Sequence, residues 1–284
     1  MHETSTSTAI VVGVDGSESA GDAVRWAVDE AINRDVRLRL VHVVDVEDRH
    51  GVDTQSELNN AELRSAEAAL RAAMVVVHAS GRPVRVETAI LRGAVSAALV
   101  DESNDAALLC VGSVGADGHP GELLGATAAA LAENSACPVA LIRNTRDQPA
   151  CGVSWIVVLV TDHPDNDLVV ESAIREAQLR RAPVLAVEVW AEDLSETTYD
   201  ELDRRMSKWK LRFPDVPIHP VATTGGIGHF LAGHAEESIQ LAVIGEHDID
   251  QIAYLVWPDC HPESQHGERS VLVIPRPARV GDQR

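Results

Sequence analysis

The strongest constraint on this chain is that its plan is written twice. IVVGVDGSESAGDAVRWAVDEAINRDVRLRLVHVV, from Ile10, lies without a gap over IVVLVTDHPDNDLVVESAIREAQLRRAPVLAVEVW, from Ile156, and eleven of the 35 positions are identical. Each segment reads as an apolar β-branched run, a polar turn, a stretch with apolar residues at helical spacing, and a second apolar run. The repeat continues downstream: TAILRGAVSAALVDESNDAALLCVG resembles ATTGGIGHFLAGHAEESIQLAVIG, with Gly93 over Gly226. Each half then closes on an apolar run, Val139 to Ile142 and Val271 to Ile274. Such self-similarity marks a tandem duplication. At 284 residues the chain has room for two domains, expected over 1–147 and 152–284, with Gln148-Pro149-Ala150-Cys151-Gly152 as the linker.

Within the first half, strands are predicted near 9–14, 37–43, 84–90, 107–111 and 138–142. Helices are predicted near 19–33, 57–79, 94–103 and 124–134, the second stopped by Ser80-Gly81 and Pro83. Strands alternating with helices build βαβ units and one parallel sheet, so the fold class is α/β, twice over. Aromatic residues make up only 3% of the chain and hydrophobic residues 45%. The cores must therefore be Ala, Val, Leu and Ile in close contact, as in sheets covered on both faces.

A formal net charge of −20, with no Lys/Arg cluster to offset it, argues against nucleic acid and anionic membrane surfaces as partners. No apolar stretch reaches the roughly 18 residues that span a bilayer. MHETSTSTA has neither a basic nor an apolar leader region, so a cytoplasmic location is expected. The four cysteines, Cys110, Cys137, Cys151 and Cys260, form no CxxC pair, and Cys110 falls in a predicted strand as an inert buried thiol.

In a doubly wound sheet, ligands sit beyond the carboxyl ends of the strands, where the strand order reverses. Two segments reach such ends with suggestive residues. VVGVDGS puts Asp15 just after the first strand and Ser17 where a helix N-cap belongs. The carboxylate could take an adenine amino group or a ribose hydroxyl, or simply end the strand and help to cap the helix. The second segment, GSVGADGHPGELLGAT from Gly112 to Thr127, is rich in glycine, contains no lysine and runs into helix 124–134. Free N–H groups at a helix start favour phosphate, yet the segment is neither GxxxxGK[ST] nor a GxGxxG after the first strand. Spacing alone leaves a phosphate site and a plain surface loop both open.

Gly112-x2-Gly115-x9-Gly125, after one strand and before a helix, resembles the G-x2-G-x9-G-[ST] pattern of the universal stress protein family. Asp15 after the first strand and His42-Val43 at the end of the second extend the likeness. It covers nearly the whole chain as two copies, of which only the first carries the motif. The resemblance implies two flavodoxin- or Rossmann-like domains, each a five-stranded parallel sheet of order 3-2-1-4-5 flanked by helices. It further implies that ATP, with or without Mg²⁺, is bound by the N-terminal copy of a stress-response regulator, with slow or no hydrolysis. By the same resemblance Asp15 contacts adenine and ribose, and the Val43 backbone meets the adenine ring. Gly112 and Gly115 pass close to ribose and phosphates, while Gly125 and the following N–H groups of Ala126 and Thr127 hold the outer phosphates. An intrachain pseudo-dimer through the last strands and a homodimer are also implied.

The sequence departs from that pattern at Ala126, where the family carries a hydroxyl. Thr127 is one residue too late, about 100° around the helix. In the second half Thr161 stands over Asp15, Asp248 takes the second glycine's place after Gly245, and no G-x9-G follows. A degenerate copy is expected there. The competing readings are a scaffold in which both sites are dead, and a slow ATPase. Gly226-Ile-Gly228-His-Phe-Leu231 is read as a strand-to-helix turn, since Leu231 takes the third glycine's place in a dinucleotide fingerprint. His229 and His234 are five apart and face apart. Asp259-Cys260-His261 with Glu263 and His266 reads as a polar loop, and Trp190, Trp209 and Trp257 as packing residues. No metal site and no catalytic residue are expected.

Overall fold

The structure is a computed structural model that describes residues 9–45, 55–116, 124–143, 154–190, 196–224, 226–227, 230–231, 238–252, 255 and 270–277. The chain divides into two compact units, Met1–Arg143 and Asn144–Arg284.

In the first unit β1 (Ala9–Gly13), β2 (Arg37–Val44), β3 (Val86–Arg92), β4 (Ala106–Gly112) and β5 (Val139–Ile142) alternate with four helices. These are α1 (Glu18–Asn33), α2 (Gln55–Ala79), α3 (Val95–Ser103) and α4 (Ala126–Asn134). The strands are all parallel, in the order β3-β2-β1-β4-β5. The central strands are short apolar runs buried on both faces, with Ile10, Val12, Leu108 and Leu109 essentially without exposure. β3, at the edge, is more exposed along its length.

Helix α1 begins because Ser17, in extended conformation, accepts the Ala20 N–H at 3.1 Å. Its buried apolar residues Ala20, Ala23, Val24, Ala27, Val28 and Ala31 follow the three-four spacing of a single helical face. Ala66, Ala69, Leu70, Ala73 and Val77 repeat that spacing on α2. Alanine at the contact lets helix and sheet approach closely, which suits a core with so few aromatics.

The second unit contains β6 (Ser154–Val160), α5 (Asn166–Arg180), β7 (Val184–Trp190), α6 (Glu196–Arg212), β8 (Ile218–Thr224), β9 (Ser238–Gly245), a 3₁₀ turn (Glu246–Gln251) and β10 (Ser270–Ile274). Its strands are parallel in the order β10-β9-β6-β7-β8, the same topology as in the first unit. The duplication extends to irregularities. β1 slips register against β4 between Ala9 and Ile10, and β6 slips against β9 between Trp155 and Ile156, the corresponding pair. Gly93 and Gly226, aligned in sequence, both adopt positive φ (137° and 91°) at the turn after their third strand. Each unit is thus the expected five-stranded α/β domain.

Among the tryptophans read as packing residues, Trp209 is buried and stacks on Phe213 at 6.2 Å. Trp190 is half-buried and donates to Glu188. Trp257 lies outside the described residues, as do the linker 148–152, His229, His234 and the 259–266 segment. Among the described residues, no helix is long and apolar enough to cross a membrane.

Candidate functional site

In the first unit the order reverses between β1 and β4, and there the carboxyl ends open a cavity of about 450 Å³. That size suits a small organic ligand. All seven residues singled out from the sequence line it. Asp15 follows β1, Val43 lies near the end of β2, Gly112 and Gly115 leave β4, and Gly125, Ala126 and Thr127 open α4. Asp117 and Glu122, the acids of the glycine-rich segment, lie outside the described residues.

Asp15 does more than end a strand. Its Oδ1 accepts the Ser17 N–H at 2.9 Å, and its Oδ2 accepts the Ala116 N–H at 2.8 Å, joining the loop after β1 to the loop after β4. The glycines have distinct physical reasons. A Cβ on Gly112 would fall against Ser19, 2.8 Å from its Cβ and 2.9 Å from its carbonyl carbon. Gly112 is therefore small because α1 presses on it, irrespective of any ligand. A Cβ on Gly115 would lie 3.2 Å from Asp15 Oδ2. Gly125 is different: its backbone is extended (φ −69°, ψ 155°) and a Cβ there would meet nothing closer than 3.5 Å. Its N–H donates to Ser113 O at 2.8 Å, which fixes the start of α4 against β4.

Gly125 caps α4 without a side-chain hydrogen bond, so the first turn presents its backbone N–H groups at the cavity wall. The wall carries no lysine or arginine among the described residues. His42, which sequence reading noted only as a neighbour of Val43, approaches Val14 O with Nδ1 at 2.7 Å. A carbonyl only accepts, so Nδ1 carries the proton. Ser19, Val95 and Leu99 also line the cavity and were missed. Only the crossover from β1 and the turn after β3 bring them there, and no local pattern marks them.

The corresponding region of the second unit is built from other chemistry. Thr161 follows β6, and its carbonyl accepts from Arg205 Nη2 at 2.7 Å. The same guanidinium donates to Asp162 Oδ1 at 3.1 Å and to the buried Glu188. Trp190 Nε1 donates to Glu188 Oε2 at 3.0 Å. Burial pushes the Glu188 carboxyl above its ordinary range, against the pull of Arg205 and Trp190. A cavity of about 410 Å³ remains, lined by Thr161, Asp162, Glu188, Trp190 and Asp248 among others. Burial and the neighbouring Asp250 charge also raise Asp248. Toward α5, where the first unit is open, the space shrinks to about 10 Å³ between His163, Asp165, His247 and Asp248.

Fold and cleft together define a tandem doubly wound α/β protein with its open site at the switch point of the first copy. The universal stress protein family profile matches residues 7–143. Universal stress protein Rv2624c of Mycobacterium tuberculosis (strain ATCC 25618 / H37Rv) is 47% identical over 271 residues, covering 95% of this chain and 97% of that protein. Universal stress protein Rv2028c of the same strain is 34% identical over 281 residues, with 96% and 98% covered. The crystal structure of a universal stress protein from Archaeoglobus fulgidus DSM 4304 has the same fold, with a TM-score of 0.71 at 16% identity, covering 96% of this chain and 97% of that one. This chain belongs to the universal stress protein family.

Proposed function

We propose that the first unit binds an adenine nucleotide, ATP with or without Mg²⁺, as a regulatory ligand, and that the second unit is a degenerate copy. The observation that carries this reading is the convergence of Asp15, Val43, Gly112, Gly115, Gly125, Ala126 and Thr127 on one 450 Å³ cavity at the switch point. The apolar part, around Val41, Val95 and Leu99, suits a base. The uncapped start of α4 suits phosphates, since its N–H groups and dipole favour negative charge without a lysine. Asp15 is left with lone pairs beyond the two N–H groups it accepts, enough for a ribose hydroxyl.

Binding fits these groups better than turnover. Asp15 and His42 are the titratable side chains among the described lining residues, and each already holds the backbone. The degenerate reading of the second unit rests on Arg205, which fills the place beside Thr161, and on three carboxylates around the remaining space. Phosphate there would meet Asp162, Glu188 and Asp248.

Isothermal titration of the full chain with Mg-ATP tests the reading. One nucleotide per chain is expected, with binding abolished by Gly125→Val, which places bulk at the phosphate end. Absence of binding at millimolar nucleotide, or two equivalent sites per chain, would overturn it.

A further inference from the structure

The space that closes in the second unit brings together side chains the nucleotide reading does not use. His163 and Asp165 lie on the turn after β6, and His247 on the 3₁₀ turn after β9. One nitrogen or oxygen from each falls within 4.8 Å of the others. The two imidazole rings lie 3.4 Å apart between centroids, tilted by 37°. His163 Nδ1 accepts the Asp165 N–H at 3.3 Å and lies 3.7 Å from Asp165 Oδ2. The lone pair of that nitrogen faces the Asp165 turn, and a cation that takes it replaces the long hydrogen bond from the Asp165 N–H.

The same three positions lie close together in the other copy of the duplication. The residues at the same places in the first unit are Ser17, Ser19 and Val114. They also touch: Ser17 Oγ lies 3.2 Å from Ser19 Oγ, and Ser19 Oγ donates to the Val114 carbonyl. The fold thus gathers these three positions in either copy, and the second copy fills them with imidazole, carboxylate and imidazole. The residual space of about 10 Å³ is close to that of a single water-sized sphere, too small for a phosphate. Asp248 adds a further carboxylate to its wall.

We propose that His163, Asp165 and His247 bind a divalent transition-metal cation of the Zn²⁺ class. Two imidazoles and one carboxylate are a borderline donor set that Zn²⁺, Ni²⁺ and Cu²⁺ prefer, whereas Mg²⁺ and Ca²⁺ require oxygen ligands. In a tetrahedral Zn²⁺ site with bonds of about 2.0–2.1 Å, ligand atoms stand about 3.3 Å apart. The observed atoms, all within 4.8 Å of one another, draw in by up to about 1.5 Å to reach that spacing. His247 is exposed, so the fourth position faces solvent and the cation is exchangeable. The site turns the second copy's phosphate end into a cation site, separate from the cleft of the first unit.

The test is titration of the metal-free full chain with ZnCl₂ in the presence of excess Mg²⁺, read by calorimetry and by competition with a chromogenic chelator. One Zn²⁺ per chain is expected at this site. Even an outer-shell partner is commonly worth about 10–100-fold in metal affinity, so His247→Ala and His163→Ala are each expected to weaken binding at least ten-fold. Asp15→Ala should leave it unchanged. His247 is exposed, so His247→Gln serves as a second variant whose folding is not at risk. No binding by the wild-type chain overturns the proposal, and so does binding that survives the double substitution of His163 and His247.

Discussion

Asp15 Oδ2 accepts the Ala116 N–H at 2.8 Å, joining two loops that are 101 residues apart in sequence. The bond holds the exit of β4 over the exit of β1, so Asp15 shapes the cleft it lines. A charge-assisted hydrogen bond of this kind is worth about 1.5–3 kcal/mol, less here because Asp15 is exposed. Asp15→Ala is expected to destabilise the nucleotide-free protein by about 1 kcal/mol and to speed hydrogen exchange at the Ala116 amide. An unchanged exchange rate at Ala116 would show that the bond is not a structural clasp.

Gly112 and Gly125 share one motif but should fail differently. Gly112→Ala forces a methyl into Ser19, and overpacking of this kind costs about 1–3 kcal/mol. Ser19→Ala should not rescue it, because the Ser19 Cβ and carbonyl carbon at 2.8 and 2.9 Å remain. Gly125→Ala meets only ordinary contacts and should leave urea stability within about 0.5 kcal/mol of wild type. Denaturation curves of the three variants decide this.

Ala126 is exposed at the first residue of α4, against the cavity. Ala126→Ser adds a hydroxyl where the phosphates would lie. A hydrogen bond to a charged group of about 1.5–3 kcal/mol corresponds to an affinity gain of about ten-fold or more. The gain should appear for ATP and be absent for adenosine. Equal gains for both would place the hydroxyl away from the phosphates.

Glu188 and Arg205 make the second unit sensitive to pH. The folded-state pKa of Glu188 lies above its ordinary 4.5, chiefly through burial. The native state therefore binds this proton more tightly than the unfolded chain does. The group favours folding fully below its ordinary value, and that contribution is lost as pH rises through the raised value. Arg205→Met removes the cation that opposes the shift, so its cost, up to about 3 kcal/mol, should be larger at pH 8 than at pH 5. Urea unfolding at the two pH values measures the difference.

Cys137 is buried and its thiol is pushed up to about 12. Cys110 is fully buried in β4. Only the thiolate is a nucleophile, so neither should react with iodoacetamide at pH 8 while the first unit is folded. Peptide mapping after alkylation should show both modified only when urea is present.

Much of the fold was legible in the chain because its signals are local. A β-branched run marks β1, an apolar Ala/Leu run marks β4, three-four spacing marks α1, and Ser17 marks its N-cap. The predicted helix 124–134 begins instead at Ala126, because Gly125 is extended and donates to Ser113 O, a partner outside the helix. The second copy's histidine cluster was not legible at all. His163 and His247 are 84 residues apart in sequence, so only the fold brings the second imidazole to the His163–Asp165 turn. His229 and His234, close in sequence, drew attention instead.

The sequence alone determined the duplication, the alternation of strand and helix, and the chemical types at the ends of β1 and β4. Each is a property of neighbours along the chain or of a repeated pattern. Tertiary structure decided what those residues face. It set Gly112 against Ser19, Asp15 against Ala116, Arg205 into the place beside Thr161, and His163 against His247. Parallel strands bring their carboxyl ends together only through long crossovers, so the partners of a switch-point residue are always distant in sequence.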